Sequence, residues 1–391
     1  MEKTHKAMDR FTRRAGFART AAALGAAAVW PVGRVASAAD GKSALIVQSR
    51  RPLDLETPVS ALDFWLTPND GFFVRSHFGE PAVGLPWTTD VLGLVSKSLV
   101  LSLDDFKTFE QRTVTAVLQC SGNGRANFRP TIPGVGWKRG AVGQAEWSGV
   151  RLADVLEKTG VKDGAAHVHL IGADGPPSPK TPAFLRSIPL SKALHPDTLL
   201  ATRMNGAPLP VLHGGPVRLI VPGWTGNHWM KWLRALTVSK DEAPGFFMQT
   251  GYRLPKVPAP PGAILKPSDL MPLTTMNVKS LITEPSEGAA LRPGKLEVRG
   301  MAWTGEGHAE KIEVSVGAGA ATRWREAEWI DLARPWSWRR WRFQIERAVP
   351  GRLVLGARAT DSRGQTQPET TPYNKGGYFW NGIDHVTCEV S

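Results

Sequence analysis

Between Pro255 and Pro261 four prolines fall in seven residues. Fixed φ angles and missing amide donors stop a helix or a central strand from running through such a stretch, so it marks a domain boundary. The patterns on its two sides differ. Beyond it, Leu296-Glu297-Val298-Arg299-Gly300, Ile312-Glu313-Val314-Ser315-Val316 and Arg352-Leu353-Val354-Leu355-Gly356-Ala357 read as short strands between turns. That spacing predicts an antiparallel sandwich over 263–391. Before it, Val114–Leu118, His167–Gly172 and Val91–Val100 read as strands. Val150–Leu156 reads as a helix stopped by Gly160, and Leu103-Asp104-Asp105-Phe106 as the start of a short one. The expectation is an α+β domain over 39–262 followed by an all-β domain, a division that suits 391 residues.

The first 38 residues read as an export signal. Arg10, Arg13 and Arg14 precede an Ala-rich run from Ala21 to Val29, and Ala36-Ser37-Ala38 offers a small-residue cleavage site. The run is too short to span a bilayer, so no membrane span is expected once the signal is removed. Thr12-Arg13-Arg14-Ala15-Gly16-Phe17 resembles a twin-arginine signal, the route of proteins that load a cofactor before crossing into the periplasm; an ordinary secretory signal with a chance Arg-Arg pair is the alternative. Cleavage would remove seven Lys and Arg and two Asp and Glu, taking the net charge from +13 to +8. A basic mature chain favours an anionic substrate or an acidic partner, although solubility alone accounts for it. No Lys/Arg run is interleaved with stacking aromatics, which argues against nucleic acid.

The chemistry concentrates in Leu118-Gln119-Cys120-Ser121-Gly122-Asn123-Gly124-Arg125. An apolar strand there runs into a loop whose glycines let backbone approach a ligand closely, and Arg125 returns a fixed cation towards the sulfur. Cys120 reads as a metal-ligating thiolate, as a small buried hydrophobe, or as half of a bridge to Cys388. In Phe72-Phe73-Val74-Arg75-Ser76-His77-Phe78, Arg75 and His77 stand two apart and face the same way in extended chain, a donor pair suited to an anion. His167 and His169 also share a face, but no third ligand stands at metal spacing, so both read as structural. From Pro208 to Lys231 strand residues are bracketed by Gly and Pro. His213, Arg218, His228 and Lys231 fall near loop ends, and their positive charge suits a phosphate.

Taken in order, Phe73–His77, Leu118–Arg125, Gly136-Trp137 with Gly140-Ala141, His213–Arg218, and Val221-Pro222-Gly223 with Lys231-Trp232-Leu233 resemble the sulfite oxidase family of molybdenum enzymes. The resemblance runs over nearly the whole mature chain. It implies a Mo-pyranopterin-binding α+β domain followed by an immunoglobulin-like β-sandwich that makes a dimer contact. It also implies one molybdenum per chain, bound by the Cys120 sulfur, and a soft thiolate suits a site already rich in sulfur. His77, His213, Arg218 and Lys231 would hold the molybdopterin and its phosphate, with Asp174 a further candidate. Arg75, Arg125, Trp137 and Tyr252 match the substrate pocket. Two positions depart from the pattern. Lys375 falls where a third pocket arginine is usual in the animal enzymes, and His228 where an arginine often stands by the cofactor phosphate; a lysine is a point charge and not a planar fork. With no Cys-x-x-Cys-His site or haem domain read in the chain, electrons are expected to leave to a separate acceptor such as a c-type cytochrome, in a homodimer or a heterodimer with a cytochrome subunit. The function implied is a periplasmic sulfite dehydrogenase. The alternatives are a sulfane-sulfur dehydrogenase or a sulfoxide or nitrate reductase on the same scaffold, and, in another class, an exported binding module without a cofactor.

Overall fold

A computed structural model describes residues 45–317 and 323–391; the export signal read over 1–38 lies outside them. Two five-stranded sheets build the amino-terminal part. In the first, Gln111–Gln119, Val142–Arg151 and Leu199–Met204 run antiparallel in that order, and Ala207–Pro208 and Arg218–Ile220 both pair with the third. The second orders Leu99–Ser102, Thr88–Gly93, Leu233–Ser239, His167–Gly172 and Leu185–Pro189, with one parallel pair, Thr88–Gly93 beside Leu233–Ser239.

The cysteine strand is covered on both faces, which is why its apolar residues run together and do not alternate. Val114, Ala116 and Leu118 join the main core, while Val117 faces the sandwich residues Met276, Leu281, Met301, Trp303 and Trp338. Hydrogen bonds fasten the same seam. Val117 N donates to Trp336 O at 2.9 Å, Trp303 Nε1 to Gln119 Oε1 at 2.7 Å, and Trp338 N to Gln144 Oε1 at 2.7 Å. The all-β part therefore stands directly behind the strand that delivers Cys120.

The sandwich comprises Lys279–Glu284, Gly294–Trp303, Arg339–Ala348 and Glu328–Trp329 in one sheet, and Ala290–Leu291, Asp384–Val390, Gly351–Asp361, Ala309–Val316 and Trp324–Glu326 in the other. The three strands read from the sequence lie inside Gly294–Trp303, Ala309–Val316 and Gly351–Asp361. Cys388 is buried in the last strand of the chain, and both cysteines are free.

Three local readings change. Val91–Val100 is not one strand but parts of two, because polar Ser96-Lys97-Ser98 turns the chain; the Ser96 and Lys97 amides donate to Gly160 O and Thr159 O at 2.7 and 3.0 Å. The helix spans Leu152–Thr159, since Val150 and Arg151 finish a strand; Leu152, Val155, Leu156 and Thr159 are its buried face, and Gly160 ends it at φ +64° as expected. Pro255 ends the strand Arg253–Pro255, and Pro258, Pro260 and Pro261 sit in the segment that joins it to its partner Leu270–Pro272. Leu103–Phe106 is a helix whose Ser102 cap is locked to Asp105 in both directions. Phe72–Phe78 is loop apart from one bridge, Val74 to Leu55. Among the described residues no helix is long and apolar enough to cross a membrane.

Candidate active site

Where the strand Gln111–Gln119 ends, Cys120 N donates to Ala141 O and Asn123 N to Cys120 O, both at 2.9 Å, which closes a tight turn. Cys120 lines a cleft of about 720 Å³, counted to its open mouth, together with Arg75, His77, Asp174, His213, Arg218, Lys231 and Tyr252. Arg125 folds back over this turn. A Cβ at Gly122 would lie 2.6 Å from its Nη2, so a larger residue there would displace the guanidinium. Its Nε donates to Gly376 O at 3.2 Å and its Nη1 to Val135 O at 3.0 Å. Burial pushes the Cys120 thiol up, and Arg75, the Gly122 amide and Arg125 pull it back.

One wall is cationic. Arg75 pairs with buried Asp54 at 3.2 Å, and Lys231 Nζ donates to Ser76 Oγ at 2.7 Å and to Leu212 O at 3.1 Å. Burial pushes Asp174 up and Lys231 down, each drawn back by the other's charge. His213 Nε2 lies 2.9 Å from Asn69 O. Arg218, 4% exposed, stands between the rings of Trp147 and Trp229 at 5.2 and 5.9 Å. It donates to His213 O at 2.6 Å and Trp229 O at 3.1 Å, while its Nε has no partner. Burial, with no carboxylate among the described residues set against it, pushes this guanidinium down to about 9.

The opposite wall is aromatic. His77 stacks on Phe184 at 4.3 Å and 20°, and its Nε2 lies 3.0 Å from Tyr252 Oη. Burial, then Arg75, Lys231 and Arg186, push His77 down to about 2, so the ring is neutral. Burial also raises Tyr252 above the usual phenol range despite Arg75, so its proton stays on. With the His77 hydrogen on Nε2, histidine donates to the phenol oxygen and the phenol proton is free for an anion; with it on Nδ1, that proton goes to His77.

Residues 78–247 match the oxidoreductase molybdopterin binding domain family, and 271–386 the Mo-co oxidoreductase dimerisation domain family. Sulfite oxidase from Gallus gallus is 36% identical over 83% of this chain and 73% of its own length. That from Arabidopsis thaliana is 31% identical over 83% and 88%. The chain belongs to the sulfite oxidase family. Its members are molybdopterin-binding oxidoreductases, and the chain spans 66% of the mitochondrial sulfite oxidase of Mus musculus, to which it is 35% identical. The crystal structure of the sulfane dehydrogenase SoxCD from Paracoccus pantotrophus superposes with a TM-score of 0.75 at 28% identity, covering 87% of this chain and 85% of that one.

The cleft fits the cofactor of a sulfite oxidase family protein on two physical counts. Arg218 brings a buried charge and an orphaned donor that an anionic group would satisfy. Among the described residues no cluster of three or more His, Cys, Asp or Glu is placed to hold a metal, so Cys120 is a single protein thiolate, as suits an ion whose other ligands come with a cofactor.

Of the residues read from the sequence, eight line this cleft: Arg75, His77, Cys120, Asp174, His213, Arg218, Lys231 and Tyr252. Arg125, Trp137, His228 and Lys375 stand outside its lining. Trp137 is fully buried, edge-on to Phe73 at 6.4 Å, with its indole Nε1 unpartnered. His228 lies behind the wall, its Nε2 2.7 Å from Leu273 O and its ring 4.9 Å from Trp224. Lys375 is exposed, one residue before the carbonyl that holds Arg125. Sequence reasoning missed Asp54, Arg186 and Tyr378. Arg186 carried a signal, since in Leu185–Pro189 it shares a face with Ile188 and both are fully buried. Its Nη2 lies 3.1 Å from His228 Nε2, its Cζ 5.5 Å from the Tyr252 ring, and burial pushes it down to about 10.

Proposed function

We propose that this chain is a sulfite dehydrogenase of the periplasm, exported by the twin-arginine route, that oxidises sulfite to sulfate and passes the electrons to a separate c-type cytochrome. The observation that carries the reading is the convergence of one thiol, Cys120, with Arg75, Lys231, Arg218 and Tyr252 in a single cleft whose cations outnumber its carboxylates.

Bound molybdopterin would supply a molybdenum centre able to accept two electrons and to transfer oxygen. The Cys120 sulfur would ligate the metal. Arg218 and Lys231 would meet the cofactor's anionic end, His77, Asp174 and His213 would hold its ring system, and His228 would support that wall from behind. Arg75 and Arg125 offset the two negative charges of sulfite away from bulk water. The Tyr252 phenol would donate to the anion, while Trp137, buried against Phe73 outside the cleft lining, would support that side from behind. Sulfite and water yield sulfate, two protons and two electrons, so the neutral Tyr252–His77 pair has protons to pass outward. Lys375 would stand at the solvent side of the loop whose Gly376 carbonyl holds Arg125. Residues 39–262 carry the site; 263–391, of immunoglobulin-like type, pair two copies, a role supported by the dimerisation-family match.

A second reading is favoured by the SoxCD likeness, which covers this chain and that one almost end to end: sulfane sulfur as the substrate. Protein expressed in a host that makes molybdopterin should carry about one molybdenum per chain and reduce ferricyanide with sulfite. A chain without molybdenum is an exported binding module instead. A molybdenum-loaded chain that oxidises sulfane sulfur but not sulfite establishes the second reading.

A further inference from the structure

The sandwich reaches back into the site through residues 374–380. Asn374 ties the loop on itself: its Nδ2 donates to Tyr378 O at 2.8 Å, its Oδ1 accepts from Tyr378 N at 2.9 Å, and its carbonyl accepts from Gly377 N at 3.0 Å. The loop is then pinned on the cysteine turn. Phe379 N donates to Ser121 O at 2.9 Å, Gly376 O receives Arg125 Nε at 3.2 Å, and Trp380 fills the space over Gly124, where a Cβ would come within 2.5 Å of its ring.

Held in this way, Tyr378 lies flat against Tyr252 at 5.2 Å and 22°, and its ring carries the Arg125 guanidinium at 5.4 Å. Both neighbours belong to the anion side of the proposed reaction. A neutral ring suits this place better than a carboxylate, because it attracts a guanidinium through its quadrupole without cancelling the charge that Arg125 offers an anion. The ring contact adds to the hydrogen bonds that already hold the arginine and the phenol, and fixing both before binding spares the ordering cost on association.

We propose that Tyr378 is a positioning residue that locks Arg125 and Tyr252 into one anion-binding unit and so sets the affinity for the sulfur oxyanion. This rests on the sulfite reading. Tyr378 acts through Tyr252 and Arg125 and does not itself line the cleft.

The test uses the molybdenum-loaded full chain with Tyr378→Met, which keeps a long apolar side chain but removes the ring face, and Tyr378→Phe, which keeps the ring. Three quantities are followed: KM and kcat for sulfite, Kd for sulfate by calorimetry, and molybdenum per chain. Tyr378→Met should raise KM and the sulfate Kd together by about tenfold, the scale of one stacking and one cation–π contact, with kcat within about threefold and molybdenum unchanged. Tyr378→Phe should recover most of that affinity. The inference is overturned if Tyr378→Met leaves both constants within about twofold of the parent. It is equally overturned if molybdenum content and kcat fall in step while sulfate affinity per loaded site is unchanged. A parent protein that binds sulfate, shows the Tyr378→Met loss and yet does not oxidise sulfite refutes the substrate reading and supports this one.

Discussion

Arg218→Met tests whether the cleft is built for an anion that the bare chain lacks. An arginine pushed from 12.5 to about 9 keeps its charge in the folded state at a cost of about 5 kcal/mol, at 1.36 kcal/mol per pKa unit, and full burial leaves no solvent screening to discount. The sign follows from linkage: below pH 9 the group is charged both folded and unfolded, so the cost is present in full at pH 7 and fades only as pH rises from 9 towards 12.5. Methionine fills most of the volume between Trp147 and Trp229 without charge, but leaves His213 O and Trp229 O without their donor, a loss of about 1–2 kcal/mol each. The cofactor-free variant should therefore be more stable than the cofactor-free parent by about 1–3 kcal/mol in urea unfolding at pH 7, as replacement of buried charge by an apolar group often is. Inorganic phosphate should stabilise the parent and not the variant. In a cofactor-competent host the variant should load less than about a tenth of the parent's molybdenum, by the loss of a charge-assisted phosphate contact. A cofactor-free variant that is less stable by 1 kcal/mol or more, and that responds to phosphate as the parent does, refutes the assignment of Arg218 to a bound anion.

Four further outcomes are expected. Cys120→Ser should abolish sulfite turnover with the circular dichroism spectrum intact, and retained turnover would sink the ligand assignment. Arg125→Gln should raise KM for sulfite by about tenfold or more, the scale of a charged hydrogen bond, with a smaller effect on kcat; an unchanged KM removes Arg125 from the pocket. Gly124→Ala should cost about 2–4 kcal/mol, because it puts a Cβ at φ +92° and 2.5 Å from the Trp380 ring; a midpoint shift below about 0.5 kcal/mol would show that the loop contact is loose. In the cofactor-free protein His77, pushed down to about 2, and His228, pushed well below 6.5, stay neutral in the fold but charge when unfolded. Their contribution is present above pH 6.5 and lost as pH falls below it, by up to about 2.7 kcal/mol per pH unit, with Asp174 returning about half once it takes up its proton near pH 6. Urea midpoints that do not fall between pH 7 and 5 would contradict the burial of these rings.

The residues that line the cleft were legible because their chemistry is rare in their local pattern. A cysteine closing an apolar strand, an arginine and a histidine spaced two apart, and histidine and arginine bracketed by glycine each stand out in a short window, and the structure gathers them around one cleft. The sandwich was legible for a similar reason, since short runs rich in β-branched residues between turn residues show within a few positions, and all three lie inside its strands. Boundaries were less so. The apolar count assigned Val150 to a helix that begins at Leu152, because a buried strand and a buried helix face look alike over so few residues. His228 and Lys375 show a different limit. Both were placed by position in a motif, yet one faces Trp224 and Leu273 behind the cleft and the other faces solvent.

Distance along the chain explains what was missed. The Cys120 turn takes its shape from Ala141 on one side and from residues 376–380 on the other, with Arg125 and Gly376 separated by 251 positions. No local pattern reports such a pairing; Tyr378 reads as one more aromatic in a loop until Tyr252 and Arg125 are found against it. The strand that carries Cys120 also gives Val117 and Gln119 to the sandwich, through Trp336 and Trp303. Preorganisation of the anion side is therefore not a property of the α+β part alone. The all-β part sets the geometry of Arg125 through Gly376 O and also holds Val117, Gln119 and Ser121 on either side of Cys120, so a change in how the two pack reaches the cysteine turn and the Arg125 side together.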